Sequence, residues 1–100
     1  MPYDIVMHEL AVNELAELRA FDQRRIISDI RAHLTDQPTA PTKRRKCLLD
    51  LTPSFEHELP VWELRIGPFR VFYDVAIEDR RVHVRAVRRK EPTQMTEDIV

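Results

Sequence analysis

The chain has 100 residues, 43% hydrophobic and 33% charged, which is enough for one compact domain and too little for two independently stable cores. Cys47 is its only cysteine, which excludes an internal disulfide and a cysteine-based zinc site and makes a reducing cytosol the expected setting. The net charge of −1 hides a division: residues 1–42 hold four Arg against seven acids, residues 43–90 hold twelve Lys/Arg against seven acids, and residues 91–100 hold three acids and no base. An anionic partner is therefore expected against the middle block, with evenly scattered surface charge as the plainer alternative.

The opening MPYDIVMHELAV has no basic segment followed by an apolar run. No stretch approaches the roughly 20 apolar residues of a membrane span, so neither export nor insertion is expected. Tyr3 to Met7 is short, β-branched and aromatic, as a first strand would be. From Glu9 the period changes, and Leu10, Ala11, Leu15 and Leu18 recur at helical steps between Glu14, Glu17 and Arg19. A second helix follows a short turn near Ala20-Phe21, with Asp22 as its expected cap and Ile26, Ile27, Ile30 and Leu34 as its apolar stripe. Arg24, Arg25, Asp29 and Arg31 face water, and Pro38 ends the pattern, so the pair reads as a helical hairpin.

Residues 37–60 hold four of the seven prolines and read mostly as loop. Within them, Lys43-Arg44-Arg45-Lys46 reads first as a solvated basic tract and second as a phosphate contact, followed by an apolar anchor at Cys47-Leu48-Leu49. Cys47 beside Lys46 is read as a small buried residue, with a reactive thiolate as the alternative.

Strand signals then dominate. Val61 to Ile66 alternates with Trp62, Leu64 and Ile66 on one face, Gly67-Pro68 makes a turn, and Phe69 to Val75 sets Val71, Tyr73 and Val75 opposite Arg70, Phe72 and Asp74. After Glu78-Asp79-Arg80, Val82, Val84 and Ala86 alternate with His83, Arg85 and Val87. The expected fold is α+β: an N-terminal strand, a helical hairpin, and a three-stranded antiparallel meander with both helices on its one apolar face. Thr93 to Val100 has room for one short helix.

The other face of that meander is expected to present Glu63, Arg65, Arg70, His83, Arg85 and Arg89 together. Clustered arginines on adjacent strands repel one another unless anions compensate them, and guanidinium forks match phosphate oxygens. Neutralisation by Glu63 and Asp74 on the same face is the competing reading. His83 alone is more often an ordinary strand residue, the four histidines show no metal-ligand spacing, and Trp62 and Tyr73 read as core.

The segment from Trp62 to Val75, WELRIGPFRVFYDV, resembles the W-x-L-R-x-G-x-[YF]-R-[VL]-x-Y signature of the RelE/ParE toxin superfamily. The element order, the domain length, HLTDQP at the end of the second helix and VHVRAVRRK in the last strand fit the same superfamily. That resemblance implies one toxin domain over residues 1–100, held inactive by an antitoxin with an acidic, partly disordered segment. RelE-like members cut messenger RNA in the ribosome's decoding site, and ParE-like members poison DNA gyrase.

Carried over by position, Arg70 matches the phosphate-contacting arginine of the signature and Arg65 the strand arginine upstream. Lys90, or its neighbour Arg89, falls where RelE nucleases keep a basic residue after the last strand. Their two strand lysines fall here at Val61 and Glu63, and their C-terminal tyrosine falls near Thr96. Metal-free cleavage would then assign Glu63 as base, His83 or Lys90 as acid, and Arg65, Arg70 and Arg85 as the phosphate clamp, with Arg89 and Lys43 to Lys46 as further RNA contacts. The leading expectation is thus a ribosome-dependent mRNA endoribonuclease needing no cofactor and no metal. The alternatives are a gyrase inhibitor and a non-catalytic toxin that only binds an antitoxin or nucleic acid.

Overall fold

The structure, a computed structural model, describes residues 1–100. The elements run β1 (Asp4–Met7), α1 (Glu9–Ala16), α2 (Ala20–Leu34), β2 (Arg45–Leu48), β3 (Val61–Ile66), β4 (Phe69–Ala76), β5 (Arg81–Arg89) and a 3₁₀ turn at Thr96–Asp98. The expected meander is β3-β4-β5, and it forms the centre of a five-stranded sheet of order β1-β5-β4-β3-β2. β1 joins parallel to β5, pairing Ile5 with Val82, and β2 joins antiparallel to β3, pairing Cys47 with Trp62. β2 lies inside the stretch expected to be mostly loop: the basic tract and its apolar anchor are one edge strand. No helix is long and apolar enough to cross a membrane.

Helical periodicity brings Ala11 and Leu15 of α1 and Ile26, Ile30 and Leu34 of α2 onto one side, where they bury against the sheet. Trp62, Leu64, Ile66, Val71, Tyr73, Val82 and Val84 complete this core, as strand alternation requires. Leu10 and Ile27, expected in the stripes, lie at its margin and stay 40% and 37% exposed. Asp22 does not cap α2. The helix starts two residues earlier, with Arg19 at the cap position, and Asp22 lies in the first turn within 3.2 Å of the Arg19 guanidinium.

Two features depart from a simple alternating meander. The register between β4 and β5 shifts at Phe72/Tyr73, so that Phe72 faces Ala86 while Tyr73 faces Val84, and Arg85 is the extra residue of a bulge. Beyond the bulge the faces exchange: Val87 enters the helix-side core, Ala86 turns to the opposite face, and Arg88 rather than Arg89 lies opposite Arg70. Secondly, that opposite face is not open along its length. Leu48, Phe55, Val61, Phe72, Ala86 and Ile99 bury together there as a second, smaller core, formed as the 49–60 segment and the C-terminal residues fold over the sheet.

Candidate functional site

Cross-strand register builds the charged row. Arg65 of β3 faces Arg70 of β4, and Arg70 faces Arg88 of β5, so three arginines from three strands share one face at the β3–β4 hairpin end. The next row inward is Lys46, Glu63, Phe72 and Ala86. Of the six residues expected together on this face, the structure places Glu63, Arg65, Arg70, His83 and Arg85 there. Arg89 is displaced by the bulge and stacks its guanidinium 5.7 Å from the Phe69 ring while pairing with Glu91.

Arg70 is 8% exposed. Its Nη1 donates to the carbonyl oxygens of Gly67 (2.7 Å) and Phe69 (2.8 Å), which clamps the hairpin turn. Burial lowers its pKa from the ordinary arginine value, with the nearby Arg65 acting in the same direction and Glu63 opposing. Glu63 is 7% exposed and its Oε2 accepts a hydrogen bond from the Thr96 hydroxyl at 2.9 Å. Arg65 is exposed. Lys90 follows β5, its backbone N–H donating to the Pro68 carbonyl at 2.7 Å, so it belongs to the same end of the sheet.

The opposite end of the face is a separate cluster. Arg85 is buried and forked onto Asp74, Nε to Oδ2 at 2.7 Å and Nη2 to Oδ1 at 3.2 Å, with Glu56 a further 3.6 Å partner. A guanidinium so neutralised is not available as a phosphate clamp. His83 pairs with His8, Nε2 of His8 lying 2.8 Å from Nδ1 of His83. His8 has its pKa lowered by burial first, then by Arg85 and His83, with Asp74 and Glu56 opposing. The expected acid His83 therefore sits with the Arg85–Asp74 pair, away from the arginine row. No three His, Cys, Asp or Glu side chains gather in a way that would hold a metal ion.

The basic tract divides as well. Arg45 is committed to structure, its Nε donating to the Ala40 carbonyl and its Nη1 to that of His33, both at 2.8 Å. Lys43, Arg44 and Lys46 are exposed. Cys47 is partly buried against the helix-side core.

Sequence reasoning missed Arg88, which nears Glu14 of α1 at 2.6 Å and donates to the Ile99 carbonyl at 3.1 Å. It also missed Arg25, whose guanidinium reaches from α2 to the Gly67 turn. The doubled Arg88-Arg89 held a signal for the first, since one of the two must face the row. Nothing in α2 itself tells which strand end the helix crosses.

Two helices on one face of a five-stranded sheet, with arginines gathered at one hairpin, define an α+β fold whose charged end suits an anionic surface. A family model described as the ParE toxin of the type II toxin–antitoxin system parDE matches residues 5–91, and the chain belongs to that family, within the RelE/ParE superfamily. It is the toxin of a type II toxin–antitoxin system.

The fold is similar to that of the toxin–antitoxin complex RelBE2 from Mycobacterium tuberculosis, with TM-score 0.67 and 20% identity over 90% of this chain and 100% of that one. It is equally similar to the archaeal RelE–RelB complex from Pyrococcus horikoshii OT3, with TM-score 0.66 and 20% identity over 93% of this chain and 100% of that one. No curated protein matches the chain.

Proposed function

We propose that this toxin arrests growth by binding DNA gyrase and that it does not cleave RNA. The observation that carries this reading is Glu63, the residue expected to take a ribose 2′ proton beside the arginine row. It is 7% exposed and already accepts the Thr96 hydroxyl, so a substrate cannot reach it without displacing the C-terminal segment. Of the two expected acids, His83 is bound to His8 at the far end of the face, which leaves only Lys90 at the arginine end. Membership of the ParE toxin family supports the same reading. The partner that silences it is a cognate antitoxin with an acidic segment, in keeping with the antitoxin-bound state of both similar structures.

RNA cleavage is the second reading, favoured by Arg70 at the phosphate-contacting position of the superfamily signature with Arg65 directly beside it. The two are separated by assaying purified protein on gyrase supercoiling and on mRNA bound to isolated ribosomes. Supercoiling should fall while the message stays intact. Cleavage in the decoding site with supercoiling untouched would replace gyrase with the ribosome as target, and inertness in both would leave a toxin that only binds.

A further inference from the structure

Beside the β3–β4 hairpin, where α2 reaches the Gly67 turn, lies a hollow of about 340 Å³ lined by Arg25, Lys43, Arg44, Arg65 and Gly67. Four cations from three separate segments (α2, the loop before β2, and the end of β3) face one space with neither an apolar nor an acidic side chain among them. In a chain of net charge −1 this is a local concentration of charge, not the overflow of a basic protein. Arg25, Lys43 and Arg65 have no carboxylate within 4.0 Å, and the half-exposed Arg44 has only Asp29 at 3.8 Å. Like charges so placed repel, and an anion seated between them relieves that cost.

The site is built, not incidental. Gly67 has φ +54°, which suits glycine as the first residue of a two-residue hairpin turn. A Cβ there would also come within 2.7 Å of the Arg25 guanidinium, so that guanidinium lies directly against the turn. Ile26, the neighbour of Arg25, is fully buried, which fixes the face that α2 turns to the sheet. Arg70 grips the same turn by the Gly67 carbonyl, which fixes the hairpin against which the cations converge.

The lining decides the kind of anion. Without an aromatic side chain there is no platform on which a base stacks, and without an apolar side chain there is no anchor for a peptide segment. Guanidinium forks with a lysine suit phosphate oxygens. We propose that this hollow binds the backbone phosphates of nucleic acid, independently of sequence. The inference goes beyond the gyrase reading and holds whether the target is gyrase or the ribosome.

The test is fluorescence anisotropy of the whole protein with two labelled probes of mixed sequence, a short duplex DNA and a single-stranded RNA, across a salt series. Arg25→Glu and Lys43→Glu are compared with Arg24→Glu and Arg31→Glu. The control positions lie exposed on α2 around a different depression and make the same change in net charge. Wild type should bind at least one probe with an affinity that falls as salt rises, and the stronger probe identifies the polymer.

Arg25→Glu and Lys43→Glu should each weaken binding about tenfold and flatten the plot of log K against log salt by about one, as loss of a phosphate contact does. The controls should stay within about twofold of wild type. Melting temperatures should match wild type, because all four side chains are exposed. Equal losses in the controls, no salt-dependent binding to either probe, or displacement by polyglutamate as effective per charge as by DNA would each overturn the proposal.

Discussion

Tyr73 is fully buried, stacked 6.4 Å from Trp62, and its hydroxyl donates to the Pro38 carbonyl at 2.6 Å, tying the central strand to the loop after α2. Burial raises its pKa far above the ordinary value of 10.0. Between those two values the unfolded chain loses the phenolic proton while the folded one keeps it. The stability this contributes is whole below about pH 10 and declines as pH rises toward the folded pKa. Tyr73→Phe should cost about 1–2 kcal/mol at neutral pH for the lost buried hydrogen bond. It should also melt with a shallower alkaline decline than wild type, and parallel curves above pH 10 would contradict the assignment. Arg70 carries a related lesson. Its signature position and its outward phase were legible in the sequence, yet its burial under a turn it clamps was not. Arg70→Ala therefore tests folding as much as activity.

The junction of β1 with α1 turns on His8, which precedes the helix in extended conformation, gives its carbonyl to the Val12 N–H, and docks its ring on His83 of β5. With Arg85 3.5 Å from Nδ1 of His8 and anchored by Asp74, the His8 ring is favoured neutral in the fold. An unfolded His8 protonates first on acidification. The contribution is therefore intact above about pH 6.5 and lost as pH falls through the lowered folded value. Urea midpoints measured from neutral pH to about pH 5 should drop less for His8→Gln than for wild type. An unchanged acid-side decline would place the loss elsewhere.

At this scale the sequence was informative where a period ran long enough. Both helices and β3, β4 and β5 follow from their alternation. β2 has only four residues, two of them basic, within a proline-rich stretch, and carries no period of its own. The bulge left only a faint trace: VHVRA alternates, the apolar Val87 breaks the phase, and only pairing with β4 makes Arg85 the extra residue. The second core was hidden because Phe55 and Ile99 come from irregular segments, whose side chains no periodicity orients. The C-terminal segment that supplies Ile99 also covers Glu63 through Thr96, which is why Glu63, on the outer face as expected, is buried there.

Over the whole molecule, charge and covering divide the outer face into three: an arginine row, a small apolar core under the 49–60 segment and C-terminal residues, and a histidine–arginine–carboxylate cluster. A chain ending after Lys90 keeps every strand but loses Ile99 from the small core and Thr96 from Glu63. It should still unfold cooperatively, at a lower urea midpoint, whereas a chain ending after Arg80 loses β5 and should show no cooperative transition. Comparable midpoints for the two would mean that β5 does not organise the fold.

The parallel pairing of β1 with β5 sets when, during synthesis, the protein exists at all. Its first strand closes only on its last, and His8 meets a partner 75 residues further along the chain. A contact so distant in sequence pays its loop-closure entropy before any reward. A ribosome still short of residues 81–89 therefore holds a nascent chain with neither a complete sheet nor the Arg65–Arg70–Arg88 row. The toxin fold is completed only after the last strand emerges, so an antitoxin already present meets it as it forms.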